Sequence, residues 1–209
     1  MDMQCGISLI FPLPRTRDFN FSSSINSGNP GNPGNPAAPQ FLELAYTLRG
    51  AMVQSIATRD FERVISSIDV YLPALDSIIE MSSQSDGILP GRSIPSFTWT
   101  SGCDKKPGSQ EFTLYGWNFE KCMALSALAY AQGNLAGLLF AGIQSNDDFD
   151  PVAKRAATLY RSAAGISDYI ADTVLPLKSL PFHRPPEVLP DLHRSLSSIF
   201  RCSAQQVQS

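Results

Sequence analysis

The chain has 209 residues, a formal net charge of −3, 43% hydrophobic residues and 10% aromatic residues. These values suit one globular core with room for a small extension, and they exclude a disordered chain. They also exclude a nucleic-acid footprint, which needs clustered positive charge; the basic residues are scattered pairs such as Arg15 and Arg17, Arg59 and Arg63, and Lys154 and Arg155.

Gly6 to Pro14 is a short apolar block ending in prolines, and it predicts a strand laid across a helical body. The repeat Asn29-Pro-Gly-Asn-Pro-Gly-Asn-Pro36 is built from turn-favouring steps with nothing to pack, so residues 20–38 are read as a flexible insertion. Helical periodicity begins after Pro39, with Phe41, Leu44, Ala45, Leu48, Met52 and Ile56 at three- and four-residue steps. A second helix is expected from Asp60, acting as its cap, with apolar positions Phe61, Val64, Ile65, Ile68, Leu72, Leu75 and Ile79 and a kink at Pro73. Gly87 to Pro95 reads as a loop, Ser96 to Thr100 as a brief strand, and residues 101–110 as a turn-rich connection.

The longest helix is expected from Trp117 to about Phe140. Phe119, Met123, Ala127 and Tyr130 line one side of it and Leu125, Leu128, Leu135 and Leu139 another, which describes a central helix with neighbours all round. The stretch from Cys122 to Asn146 carries no charge, but Ser126, Gln132, Asn134 and three glycines interrupt it, so it reads as a core helix and not a membrane span. A further helix is predicted from Pro151, with Asp150 as its cap, to about Pro176. A proline-rich loop and a last helix after Pro190 follow. The expected fold class is therefore mainly all-α, an antiparallel helical stack with a short N-terminal β-strand.

The search for chemistry finds little. Cys5, Cys103, Cys122 and Cys202 form no CxxC pair and have no histidine at ligand spacing, so no metal site is expected. Asp2 stands where a signal peptide wants a base, and the apolar run stops at Pro12; the thiols are read as reduced, the location as cytoplasmic, and the sequon at Asn20 as a chance match. Only His183 and His193 could serve a nucleophile, and Cys122, the thiol considered with His193, falls on the helix expected to be most buried. No phosphate loop, dinucleotide fingerprint or nucleophile elbow occurs, and no cofactor or small-molecule substrate is expected. Asp147, Asp148 and Asp150 could suggest calcium, but Pro151 and a missing downstream Glu break the pattern. Trp99 and Trp117 are expected in the core.

Five segments, in order, resemble the Bro1 domain family: Leu9-Ile-Phe-Pro-Leu-Pro14, Phe97-Thr-Trp-Thr100, Phe119 to Tyr130, Leu159-Tyr-Arg-Ser-Ala-Ala-Gly165 with Val174-Leu-Pro176, and Ala204-Gln-Gln-Val207. Gln206 stands where the family has Glu. The resemblance assigns residues 1–19 to the domain's N-terminal strand segment and 39–209 to its helical part, with a tetratricopeptide-like core, and suggests the N-terminal half of a full domain. It implies a non-enzymatic adaptor of endosomal ESCRT sorting, cytoplasmic and recruited to endosomes with possible peripheral membrane association. The implied partner is the amphipathic C-terminal helix of an ESCRT-III subunit, gripped in a groove. By position it implies that Asp150 and Lys154 are polar residues at the rim of that groove, and their four-residue spacing puts both on one helical face. The alternative is a truncated helical fragment that oligomerises or competes through an exposed core.

Overall fold

In the computed structural model of the chain, residues 11–17, 37–83, 94–103, 110–143, 149–175 and 183–208 are described, with side chains from residue 41 onward in the first helix. Among them are five α-helices and one two-stranded hairpin: α1 (Ala37–Thr58), α2 (Phe61–Ser83), β1 (Ser96–Thr100), β2 (Glu111–Tyr115), α3 (Trp117–Ala141), α4 (Phe149–Tyr169) and α5 (Pro190–Gln206). The mainly helical, antiparallel stack expected from periodicity is the fold observed. The Asn-Pro-Gly repeat lies outside the described residues, as does the first half of the expected N-terminal strand.

A tight turn joins α1 to α2. Arg59 takes a left-handed backbone, φ 60°, and the Asp60 Oδ1 accepts the Arg63 backbone N–H at 3.1 Å, the expected cap. The inward row of α1 is Leu42, Ala45, Arg49, Met52 and Ile56, whereas Leu44, expected inside, is 52% exposed. A buried acid elsewhere in the chain draws Arg49 into this row. α2 buries Val64, Ile68, Tyr71, Leu75 and Ile78 and runs helical through Pro73.

β1 is the expected brief strand. β2 was not anticipated; it pairs antiparallel with β1, Phe97 opposite Leu114 and Trp99 opposite Phe112. Its period-two pattern turns Phe112 and Leu114 inward and Glu111, Thr113 and Tyr115 outward. The other edge of β1 meets the N-terminal segment at a single bridge between Thr16 and Trp99, with the Thr100 N–H on the Arg15 carbonyl at 2.6 Å. Residues 11–15 do cross the helical body, but side chains hold them where a strand ladder was expected. The Asn134 amide accepts the Phe11 N–H at 2.8 Å and donates to the Phe11 carbonyl at 2.7 Å, while the Phe11 ring stacks on Tyr130. Gly102 lets this segment through: a Cβ there would lie 2.0 Å from the Pro12 carbonyl oxygen.

α3 is the central rod. Every residue from Cys122 to Asn134 is buried, and 78% of its apolar window is covered by protein, so the uncharged stretch is a core helix. Gly116 enters it with φ 101°, a conformation open to glycine alone. Gly133 makes room for Phe200 of α5, whose ring would be 2.5 Å from a Cβ at that position. Both tryptophans are in the core, as expected.

α4 packs between α3 and α5 through Ala153, Ala156, Ala157, Ala163 and Ala164, small side chains that let helices approach closely. It begins at Phe149, so Asp150 lies inside the first turn and is not the cap. The first-turn N–H groups have no intrahelical acceptor, which is why Pro151 is tolerated there and why the Asp150 charge is favourable. The helix ends in one π-helical turn, Ile170–Val174, closed by the Leu175 N–H on the Ile170 carbonyl. A 3-10 turn, Pro186–Val188, then leads to Pro190 in the first turn of α5.

Candidate partner-binding face and buried polar centres

Two of the segments noted in the sequence meet at one buried centre. The Glu120 carboxylate of α3 accepts the Arg49 Nε–H at 2.7 Å, the Trp99 indole N–H at 2.7 Å and the Tyr71 hydroxyl at 3.3 Å. Arg49 also donates to the second Glu120 oxygen at 3.4 Å and to the Arg17 carbonyl and the Thr16 hydroxyl, both at 2.8 Å, and its guanidinium lies over the Phe97 ring. Arg49 and Glu120 are 1% and 0% exposed. One ion pair thus ties α1, α2, α3, β1 and the N-terminal segment together. Its members are saturated with protein partners and it holds the scaffold that positions the outer helices.

The second centre is Glu187. Its side chain accepts from the Ser101 hydroxyl and from the Gly102 and Cys103 N–H groups; its backbone carbonyl accepts the Cys122 thiol at 3.2 Å and the His193 Nε2–H at 2.7 Å. Cys122 and His193 are therefore neighbours, yet both are spent on the same carbonyl and both are fully buried. Burial pushes the Cys122 thiol far up, the Glu187 charge adding to it, so the reactive thiolate is strongly disfavoured. The pair acts as a structural clasp. Neither centre was identified from sequence, where no role was assigned to Arg49, Glu120 or Glu187.

Asp150 and Lys154 stand exposed on α4, and neither forms an ion pair among the described residues. Helical spacing puts Arg161 and Asp168 on the same face. This face adjoins α5: Arg161 donates to Gln208 and Arg201 pairs with Asp168. The opposite flank of α4 faces α2, where Arg155 pairs with Glu62 at 2.6 Å. The two expected rim residues thus stand at the open end of a polar seam whose other end is cross-linked. Apolar surface lies nearby where α3 gives way to α4: Leu138 is 52% exposed, and Phe140 and Phe149 meet edge to face while half-buried. Among the described residues, no apolar trough lies along the seam itself.

No protein-family model and no curated protein sequence matches the chain. Solved structures do. A complex described as ALIX BRO1 with CHMP4C matches with a TM-score of 0.72 and 22% identity, over 97% of this chain and 55% of that one. A crystal structure of ALIX with the SIVmac239 PYKEVTEDL late domain matches with a TM-score of 0.72 and 23% identity, over 97% of this chain and 28% of that one. The chain spans about half of the first of these structures. At this level of identity the likeness concerns the backbone, and it extends to nearly every element described above. The chain has a Bro1-like fold.

Proposed function

We propose that the chain is a non-enzymatic adaptor of endosomal ESCRT sorting, a member of the Bro1 domain family that binds the amphipathic C-terminal helix of an ESCRT-III subunit. The observation that carries this reading is the backbone likeness over 97% of the chain to a domain whose structure holds CHMP4C. The charges of Asp150 and Lys154, exposed and without an ion pair among the described residues, support it, since a docking helix needs accessible charges to fix its register. Recruitment to endosomes would follow from that partner, with no membrane-spanning segment required. The oligomerising alternative draws no support from α5, whose outward residues include Asp191, Arg194, Ser198, Arg201 and Gln205, with Ile199 an apolar exception.

The test is a fluorescence-anisotropy titration with a labelled peptide from the C-terminal helix of CHMP4C. Saturable binding is expected, weakened about 2–5-fold by Lys154→Glu, the size of one solvent-exposed charge pair. Binding that is absent, or indifferent to reversal of both Asp150 and Lys154, would remove the reading.

A further inference from the structure

The Glu187 carbonyl can only accept, so His193 Nε2 carries the proton of their 2.7 Å hydrogen bond. In the neutral ring Nδ1 is then a bare acceptor. It is buried without a partner, on a side chain that is 0% exposed. His193 sits in the first turns of α5, while Glu187 belongs to the 3-10 turn that precedes it and is bound in turn to α3 through Cys122 and to the end of β1 through residues 101–103. This single hydrogen bond therefore pins the start of α5 to the clasp.

We propose that His193 is a pH-sensitive latch: neutral, it docks the start of α5 on the Glu187 carbonyl, and protonation at Nδ1 releases that helix. A second proton would place an N–H and a full positive charge on a buried ring nitrogen that has no hydrogen-bond partner. The groups around it do not compensate. From α3 come Cys122 and Tyr130, both held neutral by burial, and from the bend after β1 comes Cys103, bonded to Tyr130. The Glu187 carboxyl is engaged by the bend through Oε1, while Oε2 is buried without a partner; burial raises this carboxyl and so disfavours the negative charge that could offset an imidazolium. On α5 the nearest charges, Asp191 and Arg194, are exposed, and Arg194 is shared between Asp191 and Asp172 of the π-helical turn.

Burial holds the His193 imidazole below its ordinary value, partly opposed by its bond to the Glu187 carbonyl. With the folded value depressed, the released state binds more protons. The latch is fully closed above about 6.5 and weakens as pH falls from there toward the folded value. Glu187 works in the opposite direction: burial raises its carboxyl, so its cost grows as pH rises and it cannot cause acid release. Uptake of one proton makes α5 opening rise by up to about tenfold per pH unit inside that window.

Amide hydrogen exchange of the full chain at pH 7.5, 6.5 and 5.5, corrected for intrinsic rates, reads this directly. In the natural protein, protection of α5 should fall by up to about tenfold per unit below 6.5 while α2 stays unchanged. In His193→Gln, whose amide can still donate to the Glu187 carbonyl but does not titrate, the slope should vanish. A pH-independent α5 in the natural protein, or an equal slope in the variant, overturns the proposal. Should the variant not fold, an NMR titration of the natural His193 ring decides: a midpoint below 6.5 shared with the α5 amides supports the latch, and one at or above 6.5, or unshared, refutes it.

Discussion

Glu120→Gln separates charge from shape at the centre of the fold. The substitution keeps the side chain's size but leaves the Arg49 guanidinium, 1% exposed, without its counter-charge. It also sets an amide N–H₂ against a donor, because Arg49 Nε, the Trp99 indole and the Tyr71 hydroxyl all donate to this carboxylate. Breaking one side of a buried pair costs about 3–5 kcal/mol, a large share of the roughly 5–15 kcal/mol that holds a domain folded. With a urea dependence of about 2 kcal/mol per molar, the unfolding midpoint should drop by about 1.5–2.5 M. Trp99 and Trp117, both buried, report the transition by fluorescence. The double variant Arg49→Met with Glu120→Leu should recover only part of the loss, because Trp99 and Tyr71 are then unpaired at about 1–3 kcal/mol each. A midpoint shift under about 0.3 M for Glu120→Gln would refute the assignment of Glu120 as the compensating charge.

Other expectations follow from the same geometry. Gly133→Ala drives a methyl into the Phe200 ring and should destabilise by about 1–3 kcal/mol despite a helix-propensity gain of up to about 1 kcal/mol, with Phe200→Leu restoring stability in the double variant; calorimetry measures both. Gly116→Ala meets open space, so its cost is backbone strain at φ 101° alone, about 1–3 kcal/mol by thermal unfolding. Site-resolved alkylation should label Cys202 rapidly in the native protein and Cys122 only on unfolding; early modification of Cys122 would contradict its place in the clasp.

Apolar periodicity, with the proline and capping signals at Asp150, Pro151 and Pro190, located the helices, and α3 was legible as the central rod because it is apolar all round. What escaped it were charges facing inward. Arg49 breaks the row Leu42, Ala45, Met52, Ile56, so counting apolar residues found Ala45, Met52 and Ile56 but missed Arg49 and placed Leu44 inside. Nothing local to Arg49 announces that its partner lies 71 residues away. Glu187 was hidden likewise in a proline-rich loop. β2 did carry a signal, the alternation of Phe112 and Leu114, but it is five residues long. The spacing of Asp150 and Lys154 was readable, whereas the α5 side chains that close the far end of their seam became visible only once the helices were packed.

The central proposal is that the end of α4 carrying Asp150 and Lys154 receives another protein's amphipathic helix. NMR shift mapping of the labelled chain, titrated with the proposed partner helix, tests it most directly. The account predicts the largest amide changes at Asp150 and Lys154 and around the neighbouring apolar surface of Leu138, Phe140 and Phe149. Binding that perturbs α1 and α2 while leaving this end of α4 unchanged would contradict it.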